Sequence, residues 1–115
     1  MIVKGREVQF LYSVQASCDI DDLFEEKGVD TFGAFFEVER RDRAYAALGE
    51  ILSRAYCDAN GKGKPATKKE FLSMPAGDYA DLIAEISEAI SEGSKRTVLA
   101  KEDPGKNAES AVMSD

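Results

Sequence analysis

A chain of 115 residues with 43% hydrophobic side chains fits one domain and supplies a core, so neither disulfides nor a structural metal is needed to hold it and no cofactor is expected. Its formal charge of −7, with acids gathered between Asp19 and Asp30 and again between Asp78 and Glu92, excludes the broad basic face on which nucleic-acid or anionic-membrane binding draws. The one basic cluster, Lys62, Lys64, Lys68 and Lys69, stands beside Glu70.

The chain opens Met1-Ile2-Val3-Lys4 and turns polar at Gly5-Arg6-Glu7, without the apolar stretch of a signal peptide, and no later run approaches membrane-spanning length; a cytoplasmic protein is expected. Val8, Phe10, Tyr12 and Val14 alternate with Gln9, Leu11 and Ser13, the pattern of a strand with one buried face. Ile2-Val3 is placed to pair with it through a turn at Gly5-Arg6, giving an N-terminal β-hairpin. An isolated hairpin is marginal, so it must pack on helices or on another subunit.

From about Gln15 to Lys27 the spacing becomes helical. Ala16, Ile20, Leu23 and Phe24 form one face, Asp19, Asp21, Asp22, Glu25 and Glu26 stay solvated, and Gly28 provides the stop. Thr31 to Phe36 fits a short helix or a turn, and its three phenylalanines need a place to be buried. A longer helix is predicted over Val38–Asp58, with Ala44, Tyr45, Leu48, Ile51, Leu52, Ala55 and Tyr56 as its apolar stripe. Asn60 to Pro65 end it in a flexible, basic, glycine-containing loop.

Thr67-Lys68-Lys69-Glu70 has the spacing of a capping box and starts a short helix carrying Phe71, Leu72 and Met74. Pro75 suits the first turn of a last helix that reaches Ser91 or Glu92 before Gly93. There Tyr79, Leu82, Ile83, Ile86 and Ile90 lie on one face, and Asp78, Asp81, Glu85, Glu88 and Glu92 on another. From about Thr97 the composition is polar and the periodicity stops. The expected architecture is mainly α (α+β): a hairpin packed on a bundle of about four to five helices in residues 1–96, and a disordered polar tail over 97–115.

Candidate chemistry is thin. The chain has no histidine. Asp58, Asn60 and Gly63 fall at the first, third and sixth places of a calcium loop, but Lys62 replaces an oxygen ligand, Lys69 holds the twelfth place and Glu70 comes one residue late. Gly61-Lys62-Gly63-Lys64 lacks the spacing and the Lys-Ser/Thr end of a phosphate-binding loop. Cys18 precedes three acids, and Cys57 falls near a helix C-terminus, whose partial negative charge opposes a thiolate. The carboxylates read as solvated helix faces, or as an imitation of nucleic-acid phosphates offered to a basic partner.

Taken in order, GREVQFLYSVQASCDIDDLFEEKG, ERRDRAYAALGEILSRAY, ATKKEFLSMPAGDYADLIAEISEAIS and the polar tail resemble the phage tail assembly chaperones of long-tailed phages and prophages, over about residues 2–95. The resemblance rests on segment order and residue character. It implies a non-enzymatic assembly factor of the host cytoplasm, absent from the mature virion. Such a factor binds the tape measure protein, keeps it soluble and helps recruit the major tail protein. It further implies that this chain is the short form, partnered by a longer form made by translational frameshifting, for which the codons of Pro104-Gly105-Lys106 are a candidate position, and that it self-associates into a homo-oligomer. The expected contact residues are Phe32, Phe35 and Phe36, with Leu11, the off-pattern apolar residue of the strand. The alternative is a small acidic regulatory adaptor or nucleic-acid mimic.

Overall fold

The computed structural model describes residues 1–95; the tail expected from Thr97, the frameshift position and the boundary at residue 96 lie outside them. The N-terminal hairpin is present but short. β1 (Ile2–Val3) pairs antiparallel with β2 (Arg6–Glu7), Ile2 opposite Glu7 and Val3 opposite Arg6. The turn falls one residue earlier than expected, at Lys4 and Gly5, whose φ values of 51° and 83° give the two left-handed residues that a tight hairpin needs.

The strand expected over residues 8–14 does not form. The Val8 N–H still reaches the Met1 carbonyl at 2.8 Å, but beyond it the chain's neighbour is a helix, and the Leu11 N–H donates to the Leu52 carbonyl at 3.1 Å. Alternation survives as packing without a ladder: Val8 is buried, Gln9 exposed and Phe10 half-buried. It stops there, since Leu11, Tyr12 and Ser13 are all half-buried, and Val14 is 82% exposed at the first position of α1 (Val14–Lys27), which Ser13 caps by accepting the Ala16 N–H at 3.1 Å.

α1 buries Ala16, Ile20 and Phe24 and ends at Gly28, whose φ of 71° is the left-handed cap a glycine tolerates. α2 (Phe32–Glu39) is capped by Thr31, which accepts the Ala34 N–H at 3.0 Å. Val38 and Glu39 therefore close α2 and do not begin the long helix, which is α3 (Arg41–Asn60). The two are parted at Arg40, whose φ of 71° no helix contains.

α3 is the hub, packing against α1, α2, α4 (Lys68–Leu72) and α5 (Tyr79–Gly93). Its buried face holds Ala44, Tyr45, Leu48, Ile51, Leu52 and Ala55 as expected, and adds Ala46, Gly49 and Ser53, while Tyr56 is 36% exposed. Enclosure by four helices widens the stripe. α4 approaches α3 closely where Gly49 has no side chain: a Cβ there would stand 2.9 Å from the ring of Phe71, which is fully buried. The capping box at the start of α4 is complete, with the Glu70 N–H on Thr67 Oγ1 at 3.1 Å and the Thr67 N–H on Glu70 Oε1 at 2.9 Å.

Pro75 leads into one 3₁₀ turn (Ala76–Asp78) before α5, which buries Leu82 and Ile86 completely and half-buries Tyr79, Ile83 and Ile90. Among the described residues, no helix is long and apolar enough to cross a membrane.

Candidate functional site

The four expected contact residues separate into three environments. Phe35 is fully buried in the core. Phe32 and Phe36, one turn apart on α2, are half-buried against the core with part of each ring in solvent. Leu11 is half-buried elsewhere, in a groove that the irregular segment 9–12 forms with α5.

The phenylalanines belong to a ladder of rings that runs from core to surface. Phe24 meets Phe35 and Phe32 at centroid distances of 5.2 Å each, the second edge-on at 86°. Phe35 and Phe32 are each 6.2 Å from Phe36, and Phe36 stacks on Tyr45 at 4.8 Å and 17°. The Arg41 guanidinium carbon stands 6.0 Å from the Tyr45 ring centre, within cation–π reach. Packed edges and faces of this kind contribute about 0.5–1.5 kcal/mol per pair beyond the area they bury. The ladder's outer members, Phe32 and Phe36, thus present rigid aromatic surface, the side-chain type that anchors protein interfaces.

Electrostatic order lies beside the ladder. The Glu39 carboxylate, 12% exposed, bridges Lys68 Nζ at 2.9 Å and Lys27 Nζ at 3.1 Å, tying the end of α2 to α1 and α4. The hydrogen bond from Lys68, then that from Lys27, holds its pKa below the ordinary carboxyl value. Stability drawn from this bridge is therefore present above pH about 4.5 and is lost as pH falls through the depressed folded value. Glu39→Gln is expected to lower stability by about 1 kcal/mol at pH 7. Its deficit against the parent should close as pH falls through the depressed folded value of Glu39, as read by urea unfolding across pH. A deficit that stays constant over that range would show that the charge of Glu39 contributes nothing.

The basic cluster is not one surface. Lys68 is committed to Glu39, and the loop carrying Lys62 and Lys64 is anchored at its far end, where the Arg6 guanidinium donates to the Lys64 carbonyl at 2.7 Å, to the Pro65 carbonyl at 3.2 Å and to Glu70 at 3.2 Å. Glu70 has its pKa lowered, first by the Thr67 backbone hydrogen bond and then by the Arg6 charge. In the calcium-like stretch, the Asn60 amide donates to the Tyr56 carbonyl at 2.8 Å and Gly61 caps α3. Cys18 is exposed and Cys57 half-buried, both as free thiols, and among the described residues no three metal-capable side chains converge. On α5, burial and then the Asp42 charge push the Tyr79 hydroxyl up to about 12, so it stays protonated at neutral pH.

Residue composition alone does not disclose the Glu39 bridge, the Arg6 clamp or the Gly49–Phe71 contact, since each joins positions distant in the chain. Only the Thr67–Glu70 spacing signals that one end of this network is ordered. The chain matches no known protein family, no curated protein and no solved structure.

Proposed function

We propose that this chain is a non-enzymatic phage tail assembly chaperone that binds a tape measure protein, keeps it soluble and helps recruit major tail protein in the host cytoplasm, without remaining in the mature virion. The reading starts from the order and character of the helical segments and is supported by one structural observation: Phe32 and Phe36 extend the core's ring ladder to the surface of α2. A chaperone for a long helical client needs apolar surface that is fixed in place yet small enough to leave the free protein soluble. Two half-covered rings beside Glu37, Arg40 and Arg41 meet that need. The longer frameshifted form and a homo-oligomer belong to the same proposal.

The test is co-expression with the tape measure protein of the same phage. Soluble recovery of the client and co-purification with this chain are expected; absence of both with a correctly paired client defeats the reading. The carboxylate stripe of α5 is the observation that favours the other reading, an acidic regulatory adaptor or nucleic-acid mimic. Gene context separates the two, because a tape measure gene next to this one supports assembly and a regulatory or restriction locus supports mimicry.

A further inference from the structure

We propose that the outer face of α5, with the segment 9–12 beside it, is a docking groove for a basic amphipathic helix of a partner protein. This goes beyond the chaperone reading, does not rest on it, and uses a surface other than Phe32 and Phe36.

Asp78, Asp81, Glu85, Glu88 and Glu92 recur at intervals of three and four residues, and all are exposed. At 100° per residue that spacing keeps them on one stripe, and at about 1.5 Å per residue the stripe is about 20 Å long. Little cationic charge offsets it: Lys95 meets Glu92 at 3.1 Å, and the N-terminal ammonium, which is bound to Glu7 at 2.9 Å, lies 3.8 Å from Glu85. Among the described residues no other cation comes within 4.0 Å of these carboxylates.

The stripe is the rim of two recesses. One, of about 340 Å³, has an apolar floor from Leu11, Tyr12 and Ala89; the other, of about 470 Å³, opens between Ile2 and Ala84. Glu85 and Glu88 line both, so these two carboxylates stand between the recesses. Ile2 is 61% exposed at one end. At the other end α5 closes on the segment through Gly93, where an added Cβ would fall on the Tyr12 carbonyl oxygen and within 2.7 Å of the Tyr12 Cβ. That contact fixes the wall against which an occupant packs.

The apolar floor of the first recess, beneath its rim of Glu85, Glu88 and Glu92, selects an occupant with an apolar stripe flanked by lysine or arginine. Because the carboxylates repeat with the helical period, a helix matches them along the whole rim, whereas a strand, with its two-residue period, falls out of step. Phosphate chains and acidic helices are repelled. A second copy offering its own carboxylate stripe to this face is opposed by like charge.

The probe is a synthetic helical peptide of about 16 residues. It carries leucines on one face and lysines flanking them at three- and four-residue intervals, and is titrated into the full chain by fluorescence anisotropy and amide-shift mapping. Expected are shifts at Tyr12 and Ala89 and an affinity at least about tenfold lower at 500 mM than at 50 mM salt. A loss of about tenfold or more is also expected with E85Q/E88Q/E92Q, and with Ala84→Arg, which sets a cation over the second recess. E25Q/E26Q on α1 should change the affinity less than about twofold. Equal binding by a scrambled peptide of the same composition overturns the proposal, as does full binding to a folded E85Q/E88Q/E92Q variant. A dimer seen by light scattering that the same triple substitution dissociates assigns the face to a second copy and also overturns it.

Discussion

Phe71→Ala is expected to remove about 3–5 kcal/mol, a large fraction of the stability of a domain this size. The ring is fully buried, stands 5.9 Å from Phe10, and fills the space that Gly49 leaves on α3. α4 has five residues, far fewer than a helix needs to persist alone, so its capping box holds only while Phe71 anchors it. Loss of the ring opens a cavity against α3 and releases the segment that supplies Lys68 to Glu39 and Glu70 to Arg6. Urea and thermal unfolding should show a midpoint lower by about 15 °C or more. The pairing with Gly49 adds a sign test. Gly49→Leu alone is expected to cost about 1–3 kcal/mol by overpacking, since even a Cβ would stand 2.9 Å from the ring. Combined with Phe71→Ala it should partly fill the cavity, making the double variant more stable than the sum of the two losses predicts. A loss below about 1 kcal/mol for Phe71→Ala, or strict additivity, would show that α4 is held by something other than this contact.

What was legible in the sequence was what neighbouring residues decide. Gly28, the Thr67–Glu70 box and the α5 stripe are short-range signals, and each marks the boundary or face it was expected to mark. Residues 8–14 show the opposite case. Alternation states that every second side chain faces the core, and it reads the same whether the backbone pairs with a strand or lies against a helix; here its partner is Leu52 of α3. The division at Arg40 was hidden for a related reason. Helical periodicity runs on through Val38 and Glu39, while the turn is accompanied by the Glu39 bridge to Lys27 and Lys68, which draws on residues far away in the chain.

The contact residues follow the same rule. Three phenylalanines between residues 32 and 36 signal that a helix face must be covered, but which ring points inward depends on how α1 lies across α2. Phe24 decides it, taking Phe35 into the core and leaving Phe32 and Phe36 at the margin. Leu11 was off-pattern because its segment is not a strand, and that irregularity sets it beside α5.

This division gives the second large effect. Phe35→Ala is expected to cost about 3–5 kcal/mol, because the ring is fully buried between Phe24 and Phe36 and its removal leaves a void on which α1 and α2 cannot both close. Phe36→Ser should cost about 1–2 kcal/mol, since the lost stacking on Tyr45 is partly exposed to water. The order reverses for binding. With both variants assayed below their own melting temperatures, and on the proposed chaperone function, soluble recovery of a co-expressed tape measure protein should fall at least about fivefold for Phe36→Ser. For Phe35→Ala it should fall only in proportion to the unfolded fraction measured under the same conditions. If Phe36→Ser lowers stability but leaves that recovery at the parent level, the outer rings only complete the core and do not serve the proposed function. If Phe35→Ala is the milder of the two in stability, the ladder is loaded from its exposed end and the burial of Phe35 is not what holds α2 to α1.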